Sequence, residues 1–429
     1  MAGLTLTLET SKQTLLNTQL QIQTASHNIS NAQTTGYARQ KAVLQTDPPI
    51  RSTYGWLGTG ANVYTITQAR DQFLEQRLSE SVTDESQYKA LASELENIQA
   101  AVADDGSTGI SKALGDFYDA WDKLAQDPTD ATAQTDVYKS AENLAKTIRT
   151  AYDRLNTIAT NEIPARIEDA GTRANNLIDQ IAEYNNAISN TETSQYKAND
   201  LRDARYQAMQ ELAQIMPVHY AEDASGHVTI TTTDQNGSFT IVSGGTATHI
   251  DTATQQIQGG ELAGLAEAQT DINGYMNRLN EFTSTLITQV NSLHGTNSGP
   301  AVFTGANATD IVASTTFLNG VTSSDESTRA LALAGLQGTQ IAFTGKTTTL
   351  AGYLSDIQQE IGTDAQQANT TYDYNTALRS QLQTQQQAIS GVSLDEELVD
   401  LLQFQQVYQA AAKVIDKVAQ LLNTVIQMG

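Results

Sequence analysis

Apolar residues recur every seven positions at both ends of this chain. Leu8, Leu15, Ile22 and Ile29 form one row near the N-terminus, with Leu4, Ser11, Thr18 and Ala25 on the row beside it. At the other end Leu401, Phe404, Tyr408, Ala411, Ile415, Val418, Leu422 and Val425 alternate steps of three and four. Both patterns predict helices that bury a narrow stripe against a partner helix. Val407, Val414 and Leu421 add a third apolar row, which predicts that the C-terminal helix meets more than one neighbour. Its start reads as a capping box, Ser393-Leu394-Asp395-Glu396. There the Ser393 hydroxyl accepts from a free N–H and Glu396 reaches back.

Between the ends the same period marks further helices. Ile167, Ala174, Ile181 and Ile188 form one row, and Leu91, Leu95, Ile98 and Val102 another. Leu265, Ile272, Leu279, Leu286 and Leu293 lie within a predicted helix from about 260 to 294, and Leu354, Ile361, Ala368, Leu382 and Ile389 within one more. From 217 to 257 the pattern switches to alternation, HVTITTT and FTIV around Asn236-Gly237, which predicts a β-hairpin. From 296 to 349 the chain is rich in Gly, Thr, Ser and Asn.

The expected fold is mainly α: long heptad-patterned helices, the N- and C-terminal ones paired, with small β-rich insertions. Four parts follow. Residues 1–45 with 393–429 form a terminal coiled-coil domain. Residues 46–217 with 259–295 and 350–392 form a helical body. Residues 218–258 form a hairpin-containing insertion, and 296–349 a β or irregular insertion.

Composition narrows the function classes. Of 429 residues, 24 are Lys or Arg and 48 are Asp or Glu, a net charge of -24. Such a surface repels phosphate backbones and anionic lipid, so no nucleic-acid partner is expected. No stretch approaches the run of about 18 apolar residues that spans a bilayer, so no membrane insertion is expected. The opening MAGLTLTLETSKQTLL has neither the basic nor the apolar region of a cleavable signal. With no cysteine, disulfides and thiolate metal sites are excluded.

The five histidines, His27, His219, His227, His249 and His294, are scattered, and no metalloprotease, hydrolase-elbow or phosphate-loop motif is present. Asp104-Asp105-Gly106 could touch a cation but lacks the later ligands of a calcium loop, and reads as a solvated turn. The expectation is a chain without enzymatic activity, cofactor or metal.

One polar segment stands out. In HNISNAQTTGYARQ, positions 27–40, Asn28, Asn31, Thr34 and Thr35 compete for backbone hydrogen bonds and end the first helix. Gly36 supplies a positive φ to turn the chain ahead of Tyr37. The longer stretch TASHNISNAQTTGYARQ, 24–40, resembles the N-terminal signature of the bacterial flagellar axial proteins: rod, hook and first hook-associated proteins. That signature usually shows Asn-Asn-Ile-Ala-Asn followed by Thr-Pro-Gly-Tyr; here His27 replaces an Asn and Thr35 the Pro. The tail, SGVSLDEE from 390 and QQVYQAAAKVI from 405, is similar to that of the same family, and Gly391 and Gln406 point to its member at the hook–filament junction. ARDQFL from 69, LRDAR from 201 and GGELAGL from 259 look like that member's internal landmarks.

The resemblance implies a structural subunit exported by the flagellar type III route and assembled between hook and filament. It implies contacts with further copies of itself, with hook protein on one side and with the third hook-associated protein on the other. It also implies an export chaperone on the C-terminal helix. The rows Leu8, Leu15, Ile22, Ile29 and Leu401, Phe404, Tyr408, Ile415, Val418, Leu422 would then make assembly contacts. Terminal stripes without partners would be partly disordered before assembly. The alternatives are a secreted acidic coiled-coil adhesin or effector, a diverged hydrolase, or another axial protein such as hook or rod protein.

Overall fold

The computed structural model describes residues 2–52, 55–103, 108–193, 195–295, 300–317 and 324–428. Asp104-Asp105-Gly106 lies outside the described residues. The chain forms two compact units.

One unit comprises Met1–Glu85, Gly171–Gly260 and Asn375–Gly429. Its terminal helices, α1 (Ala2–Asn31) and α10 (Leu394–Met428), pack along one another. Each thus covers part of the other's stripe within a single chain, as the expected pairing of the terminal helices requires. Small residues form the seam: Ser11, Thr18 and Ala25 on α1 are buried, as are Ala411 and Val418 on α10. Strands β1 (Gln40–Thr46) and β4 (Ala61–Gln68) pair antiparallel beside α1, and between them β2 (Ile50–Ser52) and β3 (Gly55–Leu57) form a short hairpin. These strands lie in a region expected to be helical; their periodicity is too short to register against the heptads around it.

The same unit holds helix α6 (Asn199–Ile215) and a four-stranded antiparallel sheet, β5 (His219–Glu222), β6 (Val228–Asp234), β7 (Gly237–Ser243) and β8 (Thr246–Ala247), in sequential order. The expected hairpin is therefore present, although it closes over Gln235 and Asn236, one residue earlier than Asn-Gly alone would place it. Helix α5 (Ile163–Thr191) anchors the sheet through amides. Asn185 Nδ2 donates to the Val228 carbonyl at 2.8 Å, and Asn175 Nδ2 to that of Ile250 at 3.0 Å. Buried backbone left unpaired would cost more than these amides do.

The other unit comprises Ser86–Ala170 and Glu261–Tyr374. Segments of α2 (Gln72–Ala101), α7 (Gly260–Gly295) and α9 (Leu350–Ser390) join α3 (Ile110–Gln126) and α4 (Ala131–Thr157) around one continuous core. Helix α3 buries Ile110, Ala113, Leu114, Phe117, Tyr118, Trp121 and Leu124, a regular 3–4 spacing. The Asp130 carboxylate caps α4 by accepting from Thr132 N at 2.8 Å. Helix α4 runs into α5 through a π-turn, Ile158–Glu162, where the Ile163 N–H reaches back to the Ile158 carbonyl. Pro164 follows directly; it has no N–H to donate, and its ring crowds an ordinary helical turn, which the wider π-turn relieves.

Within 296–349 two small hairpins form, β9 (Phe303–Thr304) with β10 (Val312–Ala313) and β11 (Ile341–Phe343) with β12 (Lys346–Thr348). The β or irregular expectation needs correction there, because α8 (Ser324–Gly335) is a helix packed on α3. Its ALALAG run alternates by size, and burial of Ala330 and Leu333 against α3 decides for the helix.

Candidate functional site

The polar signature after α1 is a fully engaged hydrogen-bond node. Asn28, 1% exposed, uses all its amide valences. Its Oδ1 accepts from Gln40 N at 2.9 Å and from the Tyr37 hydroxyl at 2.7 Å. Its Nδ2 donates to the Gln40 carbonyl at 2.9 Å and to Glu397 Oε2 at 3.1 Å. One amide therefore holds the end of α1, the start of β1 and the start of α10 together. Asn31 works locally, donating from Nδ2 to the His27 carbonyl at 3.0 Å while Thr34 N donates to its carbonyl at 2.9 Å.

The turn itself runs from Thr34 to Tyr37, whose N–H donates to the Thr34 carbonyl at 3.2 Å. Gly36 has φ 80°, as the third residue of a type II turn requires. Burial, then the nearby Asp203, Asp200 and Glu397 carboxylates, raise the Tyr37 pKa well above the ordinary tyrosine value, so the hydroxyl remains a donor.

Arg39 clamps the opposite side. Its Nε donates to Glu397 Oε1 at 2.6 Å and its Nη1 to Glu396 Oε2 at 2.8 Å, while its own N–H donates to the Ser390 carbonyl at 2.8 Å. The capping box is consequently one-sided. Glu396 N points to Ser393 Oγ at 3.5 Å, but the Glu396 carboxylate turns to Arg39. Gly391 ends α9, its N–H donating to the Gln387 carbonyl at 2.9 Å; a Cβ there would lie 2.3 Å from that same oxygen.

A second layer supports the first. Arg70 pairs with both Glu75 and Asp203, and its guanidinium lies 4.4 Å over the Tyr206 ring. Asp203 also accepts from Gln68 Nε2 at 2.7 Å and from Ala38 N at 3.4 Å. Burial raises the Asp203 pKa and the Arg70 charge opposes that; the balance stays above the ordinary carboxylate value. On the same helix Arg202 pairs with Glu192 and Glu222, and buried Arg205 with Glu222. Burial alone would raise the Glu192 pKa, but hydrogen bonds from Arg202, Ala198 N and Lys197 hold it at about 2. These charged partners were not singled out from the sequence, although Arg70, Arg202, Asp203 and Arg205 lie in its recognisable landmarks. A charge beside a helix cap was the available signal.

The heptad rows divide by exposure. Leu8, Leu15, Ile22 and Ile29 are half-buried, as are Leu401, Phe404, Ile415 and Leu422; Val418 is buried and Tyr408 exposed. The third row, Val407, Val414 and Leu421, is exposed, and so are Leu394, Leu398, Val399 and Leu402 near the start of α10. On α1, Leu16 and Leu20 are exposed. Among the described residues no cluster of three potential ligands could hold a metal ion, and no helix is long and apolar enough to cross a membrane. The site offers cohesion and uncovered apolar surface rather than a reactive group.

Comparison with known proteins follows the same outline. Residues 95–256 match the family model for the flagellar hook-associated protein FlgK helical domain, and residues 385–428 that for the flagellar basal body rod FlgEFG protein C-terminal region. Flagellar hook-associated protein 1 of Bacillus subtilis is 23% identical, over 98% of this chain and 97% of the relative. Its Salmonella typhimurium counterpart is 28% identical over 53% of this chain and 41% of the relative. The flagellar hook junction protein FlgK from Burkholderia pseudomallei shares the fold, with a TM-score of 0.60 at 12% identity, over 73% of this chain and 100% of that one. With both models falling on segments that frame the node, and a relative matching from end to end, this chain is similar to the flagellar hook-associated protein 1 family, a structural family of the bacterial flagellum.

Proposed function

We propose that the chain is a non-enzymatic junction subunit that joins hook to filament and is required before filament can assemble. The observation that carries this reading is the unmatched apolar surface of the terminal pair. After α1 and α10 have covered each other, Leu394, Leu398, Leu402, Val414 and Leu421 remain exposed along α10. Large apolar side chains left exposed on two faces of one helix mark interaction sites, and different faces of one helix pair suit a head-to-tail polymer.

In this reading residues 1–45 and 393–429 form the tube-core part of the subunit, and the rows from Leu8 to Ile29 and from Leu401 to Leu422 make the contacts. The partners are further copies of the chain, hook protein, and the third hook-associated protein. Before assembly an export chaperone shields α10, and the chain leaves the cell by the flagellar type III route. The names of its relatives and the rod-type C-terminal match support this reading.

Immunogold labelling of intact flagella tests it, together with deletion of the coding sequence. Label confined to the hook–filament boundary, and hooks without filaments in the deletion, are expected. Label along the cell surface, or normal filaments in the deletion, would overturn the proposal in favour of an adhesin.

A further inference from the structure

The β2–β3 hairpin is an arm with both faces uncovered. Its register pairs Ile50 with Leu57 and Arg51 with Trp56, so the first pair occupies one face and the second pair the other. Trp56 is 71% exposed, and Ile50 and Leu57 are exposed as well. An isolated two-stranded hairpin is marginally stable in water, and exposed tryptophan is rare unless it anchors a contact. The base of the arm is nevertheless held firmly. Asp47 N donates to the Gly60 carbonyl at 3.0 Å, and Thr59 Oγ1 to that of Pro48 at 2.9 Å. Pro48-Pro49 stiffens the approach. The arm is thus aimed rather than loose.

Charge identifies what it meets. Between Gln40 and Gln68 the only charged residues are Lys41, Asp47 and Arg51, a small positive balance in a chain of net charge -24. The opening of α10 is the opposite: Asp395, Glu396, Glu397 and Asp400 precede the first cation, Lys413. Arg39 engages Glu396, Glu397 and Asp400 but not Asp395. Beside that carboxylate Leu394, Leu398 and Leu402 are exposed at a spacing of four, one stripe along the helix. An aromatic side chain paired with a cation therefore faces a complement of leucines beside a carboxylate.

We propose that the hairpin arm of each subunit docks on the opening of α10 of a neighbouring copy of this chain, Trp56 lying against Leu398 and Leu402 and Arg51 pairing with Asp395. The contact is head-to-tail, since the two patches differ, and therefore propagates around or along an assembly. It rests on the reading of the chain as an assembling subunit.

The absence of cysteine makes a direct test clean. Flagellated cells would co-express two differently tagged full-length chains, one Trp56→Cys and one Leu398→Cys, and isolated hook–filament structures would be oxidised. A mixed-tag disulfide dimer that needs both cysteines is expected, and Ile50→Cys, on the far face of the arm, should give much less. Arg51→Asp should lower the yield several-fold, and Asp395→Arg in the partner chain should restore it. If both tagged chains are found at the junction by immunogold but no mixed dimer forms, or the Trp56→Cys chain links to another protein instead, the docking proposal fails while the assembly reading stands. If neither chain reaches the junction even when wild type, the assembly reading fails as well.

Discussion

Asn28 and Glu397 meet across 369 positions of sequence, the amide Nδ2 donating to the carboxylate Oε2 at 3.1 Å. The contact welds the end of the first helix to the start of the last, and Arg39 neutralises the same carboxylate from the other side at 2.6 Å. Removing either neutral donor or cation would leave a nearly buried charge under-satisfied, the costliest defect a small polar node can suffer.

Asn28→Ala should therefore destabilise the terminal helix pair by about 2–4 kcal/mol. Asn28→Asp should be worse at neutral pH and partly recover in acid, because the new carboxylate faces Glu397 and is relieved by protonation. Thermal melting at pH 5 and pH 7.5 measures both. Equal melting of Asn28→Asp and wild type at pH 7.5 would contradict the geometry.

Gly36→Val should cost at least about 1 kcal/mol, since a β-branched residue is strained at φ 80°. Space is not the obstacle, because an added Cβ would sit 3.6 Å from Gln207 Cβ. Thr35→Pro should be tolerated, as proline suits the second position of a type II turn. Filament counts per cell, with melting of the purified chain, compare the two; similar defects in both variants would rule out the conformational argument.

Two aspartate substitutions on α10 should separate folding from assembly. Val418 is buried against α1, so Val418→Asp should loosen the helix pair and expose both termini to limited proteolysis. Leu421 is exposed, so Leu421→Asp should leave the proteolytic pattern unchanged and abolish incorporation at the junction. Normal motility of the Leu421→Asp strain would remove the third row from the interface.

Glu192 carries a pH dependence of one sign. Its folded pKa is held at about 2 against an ordinary 4.5, so its stabilisation is present above pH 4.5 and is lost as pH falls toward 2. Glu192→Gln should cost about 2 kcal/mol at pH 7, after allowance for solvent screening, and almost nothing at pH 2. Acid titration of the melting temperature checks it.

Asp271 has the opposite sign. Burial first, then Glu267 and Asp364, raise its folded pKa from 3.8 to about 6. The protonated form is favoured on folding, so stability is full below pH 3.8 and declines as pH rises through about 6. Asp271→Asn should raise stability at pH 7 by about 1 kcal/mol after screening and give no gain at pH 3.5. A gain that persists unchanged at pH 3.5 would exclude the titration as its cause.

Periodicity by itself determined the long helices and the pairing of the termini. A row of apolar residues every seven positions, from Leu8 to Ile29 and from Leu401 to Leu422, buries its surface in no other regular conformation. Local chemistry also marked the stop after Asn31, where Asn31 bonds to His27 and Gly36 takes a positive φ; Asn28, expected to end the helix with them, instead lies within it and bonds to Gln40, Tyr37 and Glu397. Short elements escaped that reading: β2 and β3 are three residues each, and α8 owes its helix to packing on α3. The node escaped for another reason. Glu396 fits a capping box in sequence, yet Arg39, 357 positions away, offers its carboxylate a full charge, and the stronger bond prevails. Which apolar rows are covered within one chain and which stay exposed was likewise decided only in three dimensions, because a stripe specifies burial but not the partner that provides it.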